Sequence, residues 1–231
     1  MCGRYRLKDP KQAFAWIEVA PSSEFLPRFN IAPSQRIPVV TAPGRLEAMT
    51  WGLAPRWVKQ QSRTIINARS ENIRKKRSFK SPFTHRRCLL PADGFYEWSK
   101  IGKHPYLFTV HEGAPFAIAA IWEPAEDLPR CCLLTTAANA LLEPIHGRMP
   151  VIVRREDWPE WFTPGDLAGP SFERITAPYA AGEMSALAVS PQVNSARIDD
   201  PKCSEPFEPA EALKITRRQA AKPDQQQTFG F

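Results

Sequence analysis

The sequence predicts an α+β fold of curved, mainly antiparallel β-sheets with short peripheral helices, and three observations lead there. Apolar runs of strand length recur along the chain, whereas stretches with helical spacing are few. Proline, at 24 of 231 residues, is about twice its usual share of roughly 5%, so elements are short and separated by turns. Hydrophobic residues make up 43% and charged residues 24%, enough to bury one sizeable core in a chain of this length.

In chain order, Lys11 to Ala20 has helical composition, with Phe14, Trp16 and Ile17 supplying an apolar side. Ile37 to Thr41 and Leu46 to Trp51 flank the turn signal Ala42-Pro43-Gly44 and predict a hairpin. Ser70 is placed to cap a short helix through Arg77, with Glu71 in its first turn, where the helix dipole favours an anion. Strands are expected at Cys88 to Leu90, Phe95 to Trp98, Tyr106 to Val110, Phe116 to Trp122, Cys132 to Thr136, Val151 to Val153 and Ala186 to Val189. The remaining helices fall at Ala137 to Leu142, Glu156 to Phe162 and Gly169 to Ile175. Residues 1–205 read as one folded domain, and the polar composition of 206–231 predicts a disordered tail.

Several classes are excluded. No apolar run approaches the roughly 18 residues of a spanning helix. Arg4, Arg6 and Lys8 precede any apolar stretch, unlike a secretory signal, so the expectation is a cytoplasmic protein with its own N-terminus and no membrane partner. Cys2, Cys88, Cys131, Cys132 and Cys203 form no repeating framework, and disulfides are not expected. No C-x-x-C pair, H-E-x-x-H, phosphate loop or dinucleotide fingerprint occurs, so neither metal nor cofactor is indicated.

The net charge of +7 is concentrated. Arg69, Arg74, Lys75, Lys76, Arg77, Lys80, Arg86 and Arg87 face the single acid Glu71, so this stretch alone accounts for the charge of the whole chain. Such a segment is either an electrostatic footprint for a phosphate backbone or a solvated face without a partner. Trp51 and Trp57, with Pro55 between them, lie just before it and fit either core tryptophans or a platform on which bases stack.

Four residues offer chemistry. Removal of Met1 would leave Cys2 with an α-amine and a thiol on one carbon framework, a 1,2-aminothiol. The α-amine, with an ordinary pKa of about 8, is partly unprotonated at neutral pH and can condense with an aldehyde; sulfur attack on the imine then closes a thiazolidine. Glu97 lies among the aromatics of Asp93-Gly94-Phe95-Tyr96-Glu97-Trp98, as either a buried proton donor or an exposed strand acid. His146 sits in a turn-like loop, and Asn67 opens the basic segment; structural roles suit both equally well.

Together, Met1-Cys2-Gly3-Arg4-Tyr5, Asn30-Ile31-Ala32-Pro33, Trp51-Gly52-Leu53, Asn67-Ala68-Arg69-Ser70-Glu71, the run from Arg87 to Trp98, and Ile145-His146-Gly147-Arg148-Met149-Pro150 resemble the SRAP family, the SOS-response-associated peptidase proteins. Val193-Asn194 and Asp200-Pro201 extend the likeness toward the end of the domain. The resemblance implies a barrel-like core and a monomer that binds abasic sites in single-stranded DNA, including single-strand/double-strand junctions, and shields them through a thiazolidine link.

By that resemblance Cys2 is the nucleophile, Asn67 orients the amine or sugar, Glu97 is the general acid/base and His146 assists proton transfer. Arg4, Arg69, Arg77 and Arg148 hold phosphates, Trp51 is a platform or wedge at a duplex junction, and Pro33 and Thr135 lie near the strand. Two departures stand out: Gly147 replaces the aspartate usual beside this histidine, and Arg56 stands where a small polar residue is common. Two rival readings accompany it, a thiol autopeptidase using Cys2 and a non-covalent single-strand binder; lyase chemistry is also associated with the family. The terminal run Gln225 to Phe231, with Phe229 and Phe231, loosely resembles peptides that dock on sliding clamps, but lacks the usual leucine or methionine.

Overall fold

The computed structural model describes residues 2–54 and 64–208. Met1, Pro55, Arg56, Trp57 and the tail from Pro209 to Phe231, including Phe229 and Phe231, lie outside the described residues.

In order, the elements are β1 (Arg4–Leu7), α1 (Pro10–Trp16), β2 (Arg28–Ile31), β3 (Arg36–Ala42), β4 (Arg45–Trp51), β5 (Asn67–Arg69), α2 (Arg77–His85), β6 (Arg87–Ala92), β7 (Gly94–Trp98), β8 (Pro105–Val110), β9 (Phe116–Glu123), β10 (Arg130–Ala137), β11 (Arg148–Pro150), β12 (Ile152–Val153), α3 (Trp158–Phe162), α4 (Gly169–Thr176) and β13 (Met184–Ala188). One sheet closes on itself: β10 pairs with β4, then β3, β6 and β9 follow, and β9 returns to β10. β5 and β11 extend β10, and β12 joins β9. The second sheet, ordered β13-β8-β7-β1-β2, is antiparallel throughout. The contacts of β4 and β5 with β10 are parallel. The molecule is therefore α+β with mostly antiparallel sheets and helices at the periphery.

The β3–β4 hairpin turns at Pro43-Gly44, where Gly44 adopts φ 74°, a conformation a side chain would strain. Every residue of β6 is buried, as suits a strand lined by core on one face and covered by helices on the other. Arg87, at its start, donates from its guanidinium to the carbonyls of Phe83, Trp161, Thr163 and Gly165 and lies against the Phe83 and Trp161 rings. This member of the basic segment is thus an internal fastener. Arg74 pairs with Asp166, and Arg86 reaches Glu123 and the Trp122 carbonyl, while Arg69, Lys75, Lys76, Arg77 and Lys80 remain exposed.

Two helix expectations are corrected. Ser70 starts a single 3-10 turn through Asn72, and the helix proper begins at Arg77. Only Ile73 is a buried apolar residue in the earlier stretch, whereas Phe79, Pro82 and Phe83 give α2 a face to bury. Ala137 to Leu142 is also not a helix. Ala137 completes β10, and the Asn139 side chain accepts the N–H groups of Leu141 and Leu142 while donating to the Tyr179 carbonyl. Those local bonds replace the helical ladder.

Candidate active site

β1 runs between β7 and β2 as an interior strand of the second sheet, with Arg4 opposite Tyr96 and Tyr5 opposite Phe95. Cys2 lies just ahead of the strand, near enough to Glu97 for that charge to act on its thiol. Asp93 secures β1 from the side: its buried carboxylate accepts from Arg6 Nε at 2.5 Å and from the Lys8 N–H at 2.6 Å. A Cβ at Gly94 would stand 2.7 Å from Leu107 Cδ1 on β8 and 3.4 Å from Arg6 Nε.

Cys2, Asn67, Glu97 and His146 converge. The Asn67 side-chain amide donates to the Cys2 carbonyl at 2.8 Å, and its Oδ1 is buried with no hydrogen-bond partner among the described residues. Glu97, with 3% of its side chain exposed, stands 3.8 Å from His146 Nδ1. Burial pushes the Glu97 carboxyl up to about 7, so it carries a proton for much of the time at neutral pH. Burial likewise pushes His146 below its usual range, keeping the imidazole neutral. His146 Nδ1 lies 3.0 Å from the Arg148 backbone N–H and 3.1 Å from the Arg148 carbonyl, so this nitrogen has a partner whether or not it carries the ring proton. A Cβ at Gly147 would meet nothing within 4 Å. The Cys2 side chain is fully buried, and that burial, reinforced by the neighbouring Glu97 charge, pushes its thiol well above the ordinary range. Sulfur at this position is therefore held as a thiol rather than as a standing thiolate.

The proposed strand-contacting residues separate into three groups. Arg69 and Arg77 are exposed, and Pro33 is half-buried. Arg148 pairs with Glu71 and rests on the Thr135 carbonyl. Arg4 is drawn inward, donating to Asn30 Oδ1 at 2.9 Å and the Val193 carbonyl at 2.6 Å while lying over the Trp98 ring at 5.9 Å.

Two readings need correction. Trp51 is fully buried, edge-on to Tyr5 with centroids 5.6 Å apart, and its indole N–H donates to the Ile66 carbonyl at 3.0 Å. With both faces covered it offers no platform to a base. Thr135 is also fully buried, opposite Pro150 on β11 and Arg69 on β5, so it supports Arg148 rather than presenting its own hydroxyl.

Sequence reasoning missed three contributors. Asn30, fully buried, donates to the carbonyls of Val193, Ser195 and Ile198. Asp199 accepts the N–H groups of Phe29 and Asn30 and pairs with Arg28. Together they fasten residues 191–204 beside β2, and Asn194 of that segment accepts from the Trp98 indole at 2.6 Å. Glu71 is the third. Asn30 and Glu71 stand in the motifs quoted above and Asp199 just outside them, but each partner lies far away in sequence. Among the described residues no group of three or more His, Cys, Asp or Glu side chains could hold a metal, and no helix is long and apolar enough to cross a membrane.

A closed sheet lies beside a second sheet, and in the second a cysteine leads an interior strand into a cluster of asparagine, carboxyl and imidazole. The model of one family, SOS response associated peptidase (SRAP), matches residues 1–196, and the chain belongs to that family. It is 36% identical over 222 residues to the abasic site processing protein YoqW of Bacillus subtilis (strain 168), covering 89% of this chain and 99% of that one. The abasic site processing protein YedK of Escherichia coli (strain K12) is 28% identical, covering 77% of this chain and 86% of its own. Among solved structures, a Bacteroides thetaiotaomicron protein superposes with a TM-score of 0.78 at 23% identity, covering 90% of this chain and all of that one, a likeness of fold.

Proposed function

We propose that this protein captures abasic sites in single-stranded DNA, with a preference for single-strand/double-strand junctions, as a thiazolidine on Cys2. The observation that carries the reading is the convergence of Cys2, Asn67, Glu97 and His146, with a carboxyl pushed up to about 7 by burial. The names of the relatives support abasic-site processing as the general activity.

The steps balance without a co-reactant. Once Met1 is removed, the Cys2 α-amine attacks the C1′ aldehyde of the opened deoxyribose, after Glu97 has given a proton to the ring oxygen. Glu97 recovers the C1′ hydroxyl proton as the aldehyde forms; the carbinolamine then loses water as Glu97 returns that proton to its hydroxyl and neutral His146 takes the proton from nitrogen, leaving an imine. The thiol then adds across the C=N bond: a C–S bond forms, the thiol proton passes to nitrogen, and a five-membered ring closes. The net change is aldehyde plus aminothiol to thiazolidine plus water. Asn67, bonded to the Cys2 carbonyl, holds the reacting residue in place, and its free Oδ1 is available to the amine or a sugar hydroxyl. Arg69, Arg77 and Arg148 supply phosphate contacts, and residues 1–205 suffice for the chemistry. Clamp docking through Gln225 to Phe231 would be a separate property of the tail.

Intact mass spectrometry after incubation with an abasic oligonucleotide tests this reading. The expected product is the protein without Met1 plus the oligonucleotide minus one water, stable to heat. Peptide cleavage without an adduct would favour the autopeptidase reading, and salt-labile binding alone would favour a non-covalent module.

A further inference from the structure

Arg148 is held from behind. Its Nη2 donates to the Thr135 carbonyl at 2.6 Å, its Nε is buried with no hydrogen-bond partner among the described residues, and 17% of the side chain is exposed. The open edge of the guanidinium is occupied: Glu71 Oε1 lies 2.5 Å from Nη1, and Oε2 lies 3.0 Å from Nη2. This two-pronged arrangement is also how a guanidinium receives two oxygens of a phosphate. The partners differ in freedom. Glu71 sits on the single turn Ser70–Asn72 with 52% of its side chain exposed, so it can rotate into water while Arg148 stays fixed.

We propose that Glu71 is an anion gate, its carboxylate filling the phosphate seat on Arg148 in the free protein and swinging out when a DNA strand binds. The inference rests on the DNA-binding reading above and adds a selectivity device to it. An isolated anion would have to displace an intramolecular carboxylate, present at high effective concentration, for a single contact. A polynucleotide displaces it once and gains the exposed Arg69 and Arg77 as well. The gate therefore favours polymer over free phosphate or mononucleotide.

The test uses a single-stranded oligonucleotide without an abasic site, followed by fluorescence anisotropy at low salt, with inorganic phosphate as competitor. Glu71→Gln and Glu71→Ala should tighten binding by about three- to fivefold, the scale of one exposed ion pair, and should make it more sensitive to phosphate. Arg148→Ala should weaken binding, and the gain from Glu71→Gln should vanish in the double variant. A gain persisting without Arg148 would overturn the gate, as would weakening by both Glu71 variants, which would make Glu71 a mere support. Binding by the parent protein with no gain in either variant refutes the gate alone, whereas no binding by the parent refutes the DNA reading with it.

Discussion

The Asn67 side-chain amide donates to the Cys2 carbonyl across 2.8 Å, joining the short strand that opens the basic segment to the residue that leads an interior strand of the other sheet. The bond engages neither the backbone nitrogen of Cys2 nor its thiol, which donates to the Arg4 carbonyl at 3.7 Å. Cys2→Ser should therefore abolish the heat-stable adduct, because serine keeps the amine but cannot close the sulfur ring, while anisotropy should find single-strand affinity within about twofold of the parent. An undiminished adduct in Cys2→Ser would dismiss the thiazolidine.

Glu97 should link folding to pH. Its carboxyl is pushed up to about 7 in the fold, above the ordinary value of 4.5, so the native state binds more protons than the unfolded chain between those values. Stability should fall as pH rises through that window, by about 1–3 kcal/mol. Urea titrations at pH 5 and pH 8 should show this decline in the parent and its loss in Glu97→Gln. Adduct formation should slow about 100-fold in the same variant with DNA affinity retained.

His146→Ala should likewise slow capture about 100-fold without a matching loss of affinity. Gly147→Asp supplies the more discriminating measurement, because a carboxylate beside the ring favours imidazolium. Histidine NMR should show His146 titrating at higher pH in that variant, with the fold intact, since a Cβ at 147 meets nothing within 4 Å. An unmoved titration would mean that position 147 does not address the ring.

Arg87→Ala should cost about 3–5 kcal/mol, because it strips a shared donor from four carbonyls. Arg87→Lys should recover little, lacking the planar fork. Arg69→Ala and Arg77→Ala should instead leave the denaturation midpoint near the parent value and shallow the salt dependence of DNA binding by about one unit each. Trp51→Ala belongs with Arg87 as a stability variant, at about 3–5 kcal/mol. Normal stability with weakened stacking would restore Trp51 to the DNA surface.

The β3–β4 hairpin was legible because its turn residues and apolar alternation are local. β5 was not, since three residues become a strand only by lying parallel to β10, which follows much later in the chain. The basic segment shows the limit of charge counting: composition cannot distinguish Arg87, bonded inward to carbonyls, from Arg77, which stays in water. Cys2 stood out because removal of Met1 would create there a functional group that no internal cysteine has. The supports at Asn30, Asp93 and Asp199 act on distant backbone, and no spacing in the sequence reports that.

The strand that Cys2 leads lies between two neighbours rather than at an edge, with the Asp93 carboxylate fastening its far end. Chain ends usually fray, and a reactive group on a frayed end must be immobilised anew at each encounter with its target. Here the sheet does that during folding, so in the proposed reaction the aminothiol would arrive already aimed. The same arrangement sets a practical rule for handling the protein. A purification tag fused ahead of Cys2 would keep its amine an amide and crowd an interior strand.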